Sequence, residues 1–397
     1  MRILVSSPIM EVGGAERIVV QIVKGLVERG NQVGLMGSRG SLDADLADVP
    51  HDRFILPLPS RSAVGVARVL VAMRSVVTTF KPDVIHAQNV LHAALAGAAG
   101  RVASRPRPPV LATFHGLNPG EVRIASKLFR AADAVACVSE DLLNALVSVG
   151  FPASRAHLIR NAVGAAVPLT GERSEALDAE LKLGAVAGGQ RPPVVAIVGR
   201  LAPEKDHDRF LRAAAWVAGQ LPATRFLVVG DGKLRADLQA LARELGIADK
   251  VVFTLARNDA RDIIAKSDLL VFSSKWEGLS IAALEALACG TPVVSTDAPG
   301  MSSLLDTGAG EIVRGGPEEL GRAIVALLCD EDRRAAMGHI GRRLVAEEFS
   351  LPAMLDSYVR LYDGLVCRRV RRDGPLAISA QRGSDIAARS ERDSQGR

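Results

Sequence analysis

Short, wholly apolar runs alternate with longer amphipathic stretches along this chain, and the rhythm breaks once, between residues 168 and 193. Ile3 to Ser6 reads as a buried strand. After a loop holding Gly13 and Gly14, a helix is expected from about Glu16 to Arg29, where Ile18/Val19, Ile22/Val23 and Leu26/Val27 form a stripe of helical period. Strands follow at Val33 to Met36, Val84-Ile85, Val110 to Thr113 and Ala134 to Val138. Beyond the break come Val194 to Val198, Arg225 to Val229, Val251 to Phe253, Leu269 to Phe272 and Pro292 to Ser295. Strands apolar on both faces and separated by helix-length stretches pair in parallel, with helices covering the sheet. The expected fold class is therefore α/β, with two doubly wound parallel-sheet domains facing a cleft.

The length agrees: 397 residues at about 150 per domain suggests two or three domains. The first is expected over 1–167, a Pro-, Gly- and charge-rich linker over 168–193, and the second over 194–350. A helix at about 351–366 is expected to pack back on the first domain, and 373–397, rich in Arg, Ser, Asp and Gly, to form a flexible tail. Aromatic residues make up only 4%, which disfavours a base-stacking surface, and a net charge of +5 is too small for a nucleic-acid binder. Cys137, Cys289, Cys329 and Cys367 lack CxxC spacing, so buried thiols are expected rather than zinc ligands or disulfides. The first residues lack the apolar region of a signal peptide, and no run is expected to reach the length of a membrane span. A cytoplasmic protein is expected, possible peripheral membrane contact being left open.

The richest chemistry lies in Ser273 to Ser295, SSKWEGLSIAALEALACGTPVVS, which reads as strand end, loop, helix, turn and strand. Glu285 falls inside the helix among small and apolar neighbours, where a carboxylate is costly unless something pairs with it. Glu277 stands eight residues earlier, beside Gly278, whose lack of a side chain lets backbone approach a ligand. N–H groups near Leu279 and Ser280 would face a phosphate at the helix N-terminus, while the carboxylates suit sugar hydroxyls. A sugar nucleotide satisfies both. Arg200 and Lys205 leave the end of a strand, where fixed cations could neutralise a leaving diphosphate. Gly230-Asp231-Gly232 ends another strand. Each of these also has a plainer reading, as a helix-surface carboxylate, a solvated charged loop or a tight turn.

Together the residues resemble the retaining glycosyltransferases of family 4, of the bacterial surface-polysaccharide type. The resemblance rests on GGAE at 13–16, FHG at 114–116, VGRLAPEK at 198–205, GDG at 230–232 and EGLSIAALE at 277–285, the last being the family's E-x7-E motif. It implies a GT-B fold of two Rossmann-like domains and a nucleoside diphosphate sugar as donor substrate. By resemblance, Glu285 would hold the ribose hydroxyls, Glu277 the donor sugar, and Arg200 with Lys205 the diphosphate. His115 would lie beside the reacting carbon, and the Gly13-Gly14 loop would approach phosphate and acceptor. The donor-binding set is thus Gly13, Gly14, Arg200, Lys205, Gly230, Asp231, Glu277, Gly278, Leu279, Ser280 and Glu285, with His115, Glu277, Arg200 and Lys205 catalytic. Two departures concern the hinge and the nucleobase loop: Arg160-Asn161-Ala162-Val163 lacks the family's acidic residue, and Ala256 stands where Gly is frequent.

Asp43/Asp45 and Asp206/Asp208 have the spacing of a metal-binding Asp-x-Asp pair. The first lies in a charged surface segment and the second before a helix, where acids complement its dipole. No metal and no cofactor are expected. The resemblance implies a front-face displacement with retention, since the motifs contain no enzymic nucleophile. A nucleotide-sugar epimerase of the same architecture and a non-catalytic nucleotide-sugar binder are the alternatives. On the acceptor side, Arg123, Lys127 and Arg130 recur at i, i+4 and i+7 with Ile124 and Leu128 alongside and Phe129 nearby, a basic face suited to an anionic membrane. A solvated surface helix would have the same pattern. Residues 1–160 hold 18 basic and 12 acidic side chains, whereas 161–365 hold 23 and 28, so the excess of positive charge belongs to the first domain and the tail. A glycan or lipid-linked acceptor is expected, in surface-polysaccharide or lipopolysaccharide biosynthesis.

Overall fold

The computed structural model describes residues 1–57, 62–103, 106–116, 119–184 and 191–373. The N-terminal half runs β1 (Arg2–Ser6), α1 (Gly14–Glu28), β2 (Gln32–Gly37), β3 (Asp52–Ile55), α2 (Ala63–Phe80), β4 (Val84–Ala87), α3 (Val90–Ala103), β5 (Val110–Phe114), α4 (Val122–Phe129), β6 (Ala134–Cys137), α5 (Glu140–Ser148) and β7 (Ala156–Leu158). Then come α6 (Gly171–Glu180), β8 (Val194–Val198), α7 (His207–Gln220), β9 (Arg225–Val229), α8 (Arg235–Glu244), β10 (Val251–Phe253) and α9 (Ala260–Lys266). The chain ends with β11 (Leu269–Phe272), α10 (Ile281–Cys289), β12 (Val293–Thr296), α11 (Ser302–Leu305), β13 (Gly310–Val313), α12 (Pro317–Leu328), α13 (Glu331–Glu348) and α14 (Leu351–Asp373).

All strands pair in parallel, in the orders β3-β2-β1-β4-β5-β6-β7 and β10-β9-β8-β11-β12-β13. Each order reverses once, at β1/β4 and at β8/β11. A crevice opens outside the strand ends at such a reversal, and the Gly13-Gly14 and Arg200 loops leave β1 and β8 at those two points.

Helix α1 forms where its apolar stripe predicts, with Ile18, Val19, Ile22, Val23 and Leu26 fully buried. Each such side chain contributes roughly 1.5–3 kcal/mol. The edge strands β3, β7 and β13 carry no strong run, because one side of an edge faces solvent. The expected linker holds α6, capped by the Thr170 hydroxyl and docked on the second domain through buried Leu177, Leu181 and Leu183 and a Lys266–Asp178 ion pair at 2.7 Å. Its single buried leucine per two turns gives no legible stripe. Residues 374–397, nearly all of the expected tail, lie outside the described residues.

Helix α14 crosses to the first domain, where it meets α1 and β4. At Gly25 of α1 a Cβ would overlap Leu355, so the glycine permits the close approach of the two helices. Tyr358 and Tyr362 are fully buried there, stacked with ring centroids 6.2 Å apart. One apolar cluster includes residues of α1, α10 and α14, so the domains share a core beside the cleft. Helix α2 has 18 residues and a mean hydropathy of 1.5, which corrects the expectation that no run reaches membrane-span length; its Val69, Met73, Val77 and Phe80 side is packed in the core.

Candidate active site

Four strand-end loops build the second domain's wall of the cleft. The β8 and β9 loops are tied by Gly199 N donating to Val229 O (3.0 Å) and Leu201 N to Asp231 O (2.9 Å). Gly230 has φ +146°, and a Cβ there would overlap Gly199 O. Its glycine therefore serves this loop-to-loop contact, while the Asp231 carboxylate accepts from Gly232 N at 2.8 Å and is half exposed. After β11, Lys275 N donates to Glu204 O (2.9 Å) and the Ser273 hydroxyl to Lys205 O (2.9 Å), which clamps the Arg200–Lys205 loop against Glu277.

Within that clamp, Lys205 Nζ donates to Glu277 Oε1 at 2.6 Å and the Ser274 hydroxyl to the same oxygen at 2.6 Å. Glu277 is almost buried and Lys205 one-fifth exposed, so charge neutralisation stabilises the pair in poor solvent. Arg200 differs. It is 72% exposed and, among the described residues, pairs with Glu204 at 3.0 Å, so its guanidinium can turn toward a ligand.

Ser280 is the N-cap of α10 and makes no side-chain capping bond, so the first-turn N–H groups stay available to an anion. Gly14, at the start of α1, lies against Ile281, a Cβ there meeting Ile281 Cγ1 at 3.4 Å. The α1 N-cap, Gly13, also lacks a side-chain cap. Two helix N-termini thus converge. Glu285 is 8% exposed, and burial raises its pKa while Arg17 and Arg261 oppose the shift.

The opposite wall comes from the first domain. Gly278 packs beneath the His115-Gly116 turn, and a Cβ at 278 would stand 2.5 Å from His115 O. Asn161 Nδ2 donates to Leu279 O at 3.2 Å, and Gly300 N donates to Asp141 Oδ2 at 3.1 Å, so the E-G-L-S loop is held from across the cleft. His115 Nε2 lies 3.0 Å from Gln88 Oε1, and burial pushes the His115 pKa down to about 4. The imidazole is neutral at pH 7.

Eleven of the twelve site residues expected from sequence therefore lie on strand-end loops or helix starts around the cleft, and Glu285 lies within α10. Several neighbours were not anticipated. Glu16 folds over Gly13, and burial raises its pKa against the opposing charge of Arg200. Arg17 reaches across the domains to Arg257 O (3.0 Å) and Asn258 O (2.9 Å). Both lie in the first turn of α1, and the helical stripe, which ranks apolar positions only, passes over them. The segment Arg160–Val163 that departs from the family supplies Asn161, while Val163 bridges to Ser350.

The Asp-x-Asp carboxylates serve elsewhere. Asp43 pairs with Arg53 (2.9 Å), Asp206 with Arg209 (3.5 Å) and Asp208 with Arg212 (2.8 Å). Among the described residues, no group of three or more His, Cys, Asp or Glu is placed to hold a metal. The basic face near residue 123 is exposed, Arg130 included. Helix α4 ends at Phe129, which is buried; Arg130 is its C-cap, with its guanidinium 3.4 Å from Gly150 O, and Arg123 and Lys127 stand with exposed Ile124 and Leu128.

Comparison with known proteins follows this division. The Glycosyltransferase Family 4 profile matches residues 12–166 and the Glycosyl transferases group 1 profile residues 185–344. The lipopolysaccharide core biosynthesis glycosyltransferase LpsE of Rhizobium meliloti is 28% identical over 88% of this chain and 95% of its own. A GDP-mannose-dependent phosphatidylinositol monomannoside mannosyltransferase of Corynebacterium glutamicum is 30% identical, over 66% of this chain and 72% of its own. Among solved structures, Anabaena HepE in complex with UDP-glucose superposes with a TM-score of 0.78 at 22% identity, covering 92% of this chain and all of that one. WaaG, a glycosyltransferase involved in lipopolysaccharide biosynthesis, superposes at 0.73 with 18% identity, over 91% of this chain and all of that one, and shares the GT-B fold. These relationships favour neither the epimerase nor the non-catalytic reading. Profiles over both halves and a 30% identical relative matched over 72% of its length establish that the chain belongs to the glycosyltransferases, a family 4 first domain joined to a group 1 second domain.

Proposed function

We propose that this glycosyltransferase transfers a hexose from a nucleoside diphosphate sugar, with retention and without a metal, to a glycan or lipid-linked acceptor in surface-polysaccharide or lipopolysaccharide biosynthesis. The observation that carries the reading is the meeting of the Lys205–Glu277 pair with the uncapped N-terminus of α10 and buried Glu285 in one cleft. Lys205, Arg200 and the helix N-terminus offset the charge that develops on the diphosphate. Fixed donors in a water-poor site contribute about 3–4 kcal/mol each. Glu277 accepts from donor-sugar hydroxyls and Glu285 from the ribose. The anomeric carbon–oxygen bond breaks with its electron pair on the diphosphate. The acceptor oxygen bonds the same carbon on the same face, and its proton passes to a leaving phosphate oxygen. Neutral His115 offers the sugar a hydrogen bond rather than a charge. The relatives that act on lipopolysaccharide core and phosphatidylinositol mannoside support the acceptor class.

Calorimetry tests the donor site: Glu285→Ala is expected to abolish turnover and nucleotide-sugar binding together, and unchanged affinity would remove the assignment.

A second feature favours work on the cytoplasmic surface of an anionic membrane. Helices α2, α3 and α4 pack side by side and carry no acidic residue, while Val64, Val71, Val102, Ile124 and Leu128 are exposed among Arg68, Arg74, Arg101, Arg123 and Lys127. Five cations at about 1 kcal/mol each give reversible, salt-sensitive attachment. Charge reversal at Arg123 and Lys127 is expected to weaken binding to anionic vesicles, and no binding by the unaltered protein at low salt would refute this reading.

A further inference from the structure

Beneath His115 a polar chain runs through the interior of the first domain. His115 Nε2 lies 3.0 Å from Gln88 Oε1, Gln88 Nε2 lies 3.1 Å from His86 Nε2, and His86 Nδ1 lies 2.7 Å from Tyr362 Oη. Thr113 Oγ1 stands 2.7 Å from His86 Nε2 and 3.4 Å from Tyr358 Oη. Gln88, His86, Thr113, Tyr358 and Tyr362 are all buried. The Gln88 backbone is pinned by its N–H donating to Ser6 O at 2.8 Å, and the two tyrosines come from α14 at the far end of the chain. The motifs around His115 point to none of these partners.

A buried amide distinguishes its two ends. Its oxygen only accepts and its nitrogen only donates, whereas a neutral imidazole has one donor and one acceptor nitrogen. With Oε1 toward His115 and Nε2 toward His86, the proton sits on Nε2 of His115 and on Nδ1 of His86, the latter donated to Tyr362 Oη. His115 then keeps a lone pair on Nδ1, the group that accepts from a hydroxyl. Inverting the amide would reverse both rings.

We propose that Gln88 is a positioning residue that locks His115 in its Nε2–H tautomer, with His86 held in the complementary Nδ1–H tautomer and anchored to α14 through Tyr362. This rests on the transferase reading of His115 for its functional meaning, though the tautomers themselves do not. A donor sugar hydroxyl thereby meets an acceptor nitrogen at every encounter instead of a mixture of donor and acceptor rings. Second-layer partners of this kind typically carry 10- to 100-fold effects, measured most often at metal sites.

The test uses the full chain labelled with 15N-histidine. Seven histidines are present, and His115→Asn and His86→Asn assign the two signals in long-range 1H–15N spectra. Expected are an Nε2–H ring at His115 and an Nδ1–H ring at His86. Gln88→Leu is expected to turn His115 into a tautomer mixture and lower kcat by about 10- to 100-fold while the donor KM changes by less than about threefold. Gln88→Glu keeps an acceptor facing His115 but also puts one against His86 Nε2, so it is expected to retain the Nε2–H ring at His115, recovering most of the lost kcat, while moving the His86 proton to Nε2. An Nδ1–H ring at His115 in the unaltered protein, or a folded Gln88→Leu protein with unchanged tautomer and kcat, overturns the proposal. If Gln88→Leu does not fold, the spectra of the unaltered and Gln88→Glu proteins decide it. Absence of sugar transfer by the unaltered enzyme would retire the transferase role of His115 and leave the tautomer result standing. Transfer with a tautomer indifferent to Gln88 would retire the Gln88 role alone.

Discussion

Gly278→Ala probes the cleft with a single methyl group. The new Cβ would stand 2.5 Å from the His115 carbonyl oxygen, about 1 Å inside ordinary contact near 3.5 Å. The obstacle is backbone, so no side-chain rotation relieves it, and Leu142 Cδ1 at 3.7 Å limits retreat on another side. Gly278 is not among the glycines with positive φ, so alanine adds no backbone strain of its own. The E-G-L-S loop and the His115 turn must therefore part by about 1 Å, carrying Glu277 and His115 out of register. A displacement of that size costs on the order of 100-fold in rate, or roughly 2.7 kcal/mol of activation free energy. Overpacking costs stability as well, about 1–3 kcal/mol. Initial rates of sugar transfer and the thermal midpoint, measured in one buffer, separate the two effects. Gly219→Ala in α7 is the control: among the described residues no atom outside the local chain lies within 4 Å of its Cβ, and a gain of about 0.5–1 kcal/mol with unchanged rate is expected. A Gly278→Ala enzyme with normal kcat/KM would show that the two walls do not meet in the working enzyme, and the close-contact account of the cleft would fall.

Two further outcomes follow from charge and burial. His207 is 1% exposed, neither ring nitrogen has a hydrogen-bond partner among the described residues, and burial with nearby Lys205 lowers its pKa from 6.5 to about 4. Because the folded pKa lies below the unfolded one, the unfolded state takes up protons first, and the stability associated with the neutral ring is lost as pH falls from about 6.5 toward 4. His207→Leu is expected to raise the urea midpoint at pH 7, since an unpaired buried polar group costs about 1–3 kcal/mol, and to flatten the decline between pH 6.5 and 4; an unchanged slope would contradict this. Arg17→Ala removes the bridge to Arg257 O and Asn258 O and one of the two cations facing Glu285. The donor KM should rise about tenfold with little change in melting temperature, an effect of roughly 1.4 kcal/mol, and a KM unchanged under saturating acceptor would exclude a nucleotide-side role.

Much of this architecture is legible because strand and helix signals are local. Runs such as Val194 to Val198 bury both faces of a central strand, and all five of its residues are at most partly exposed. Edge strands are different. In β3 and β7 the side chains are half-buried or exposed, and a short segment of mixed polarity has no distinctive period. The same locality explains Glu285, whose apolar neighbours on one helix announce a buried carboxylate, and the silence around Gln88, whose side-chain partners come from β4 and the loop after β5, with Tyr362, 276 residues beyond His86, joining through that histidine. The Lys205 cation and the Glu277 carboxylate are legible separately, one for a diphosphate and the other for sugar hydroxyls; their direct bond is not, because 72 residues separate them.

The amino-acid order by itself determines that this chain makes two parallel sheets, since alternating buried strands and amphipathic helices have few other ways to cover both strand faces, and it places the charged and glycine-rich loops at the strand ends. Tertiary structure alone decides which of those loops touch: Gly278 against His115, Gly230 against Gly199, Arg17 across to Asn258. It also returns α14 to the first domain and sets Tyr362 against His86. Local periodicity carries the cost of burying or exposing each side chain, whereas contacts between distant segments depend on how packed surfaces fit, which no window of neighbouring residues contains.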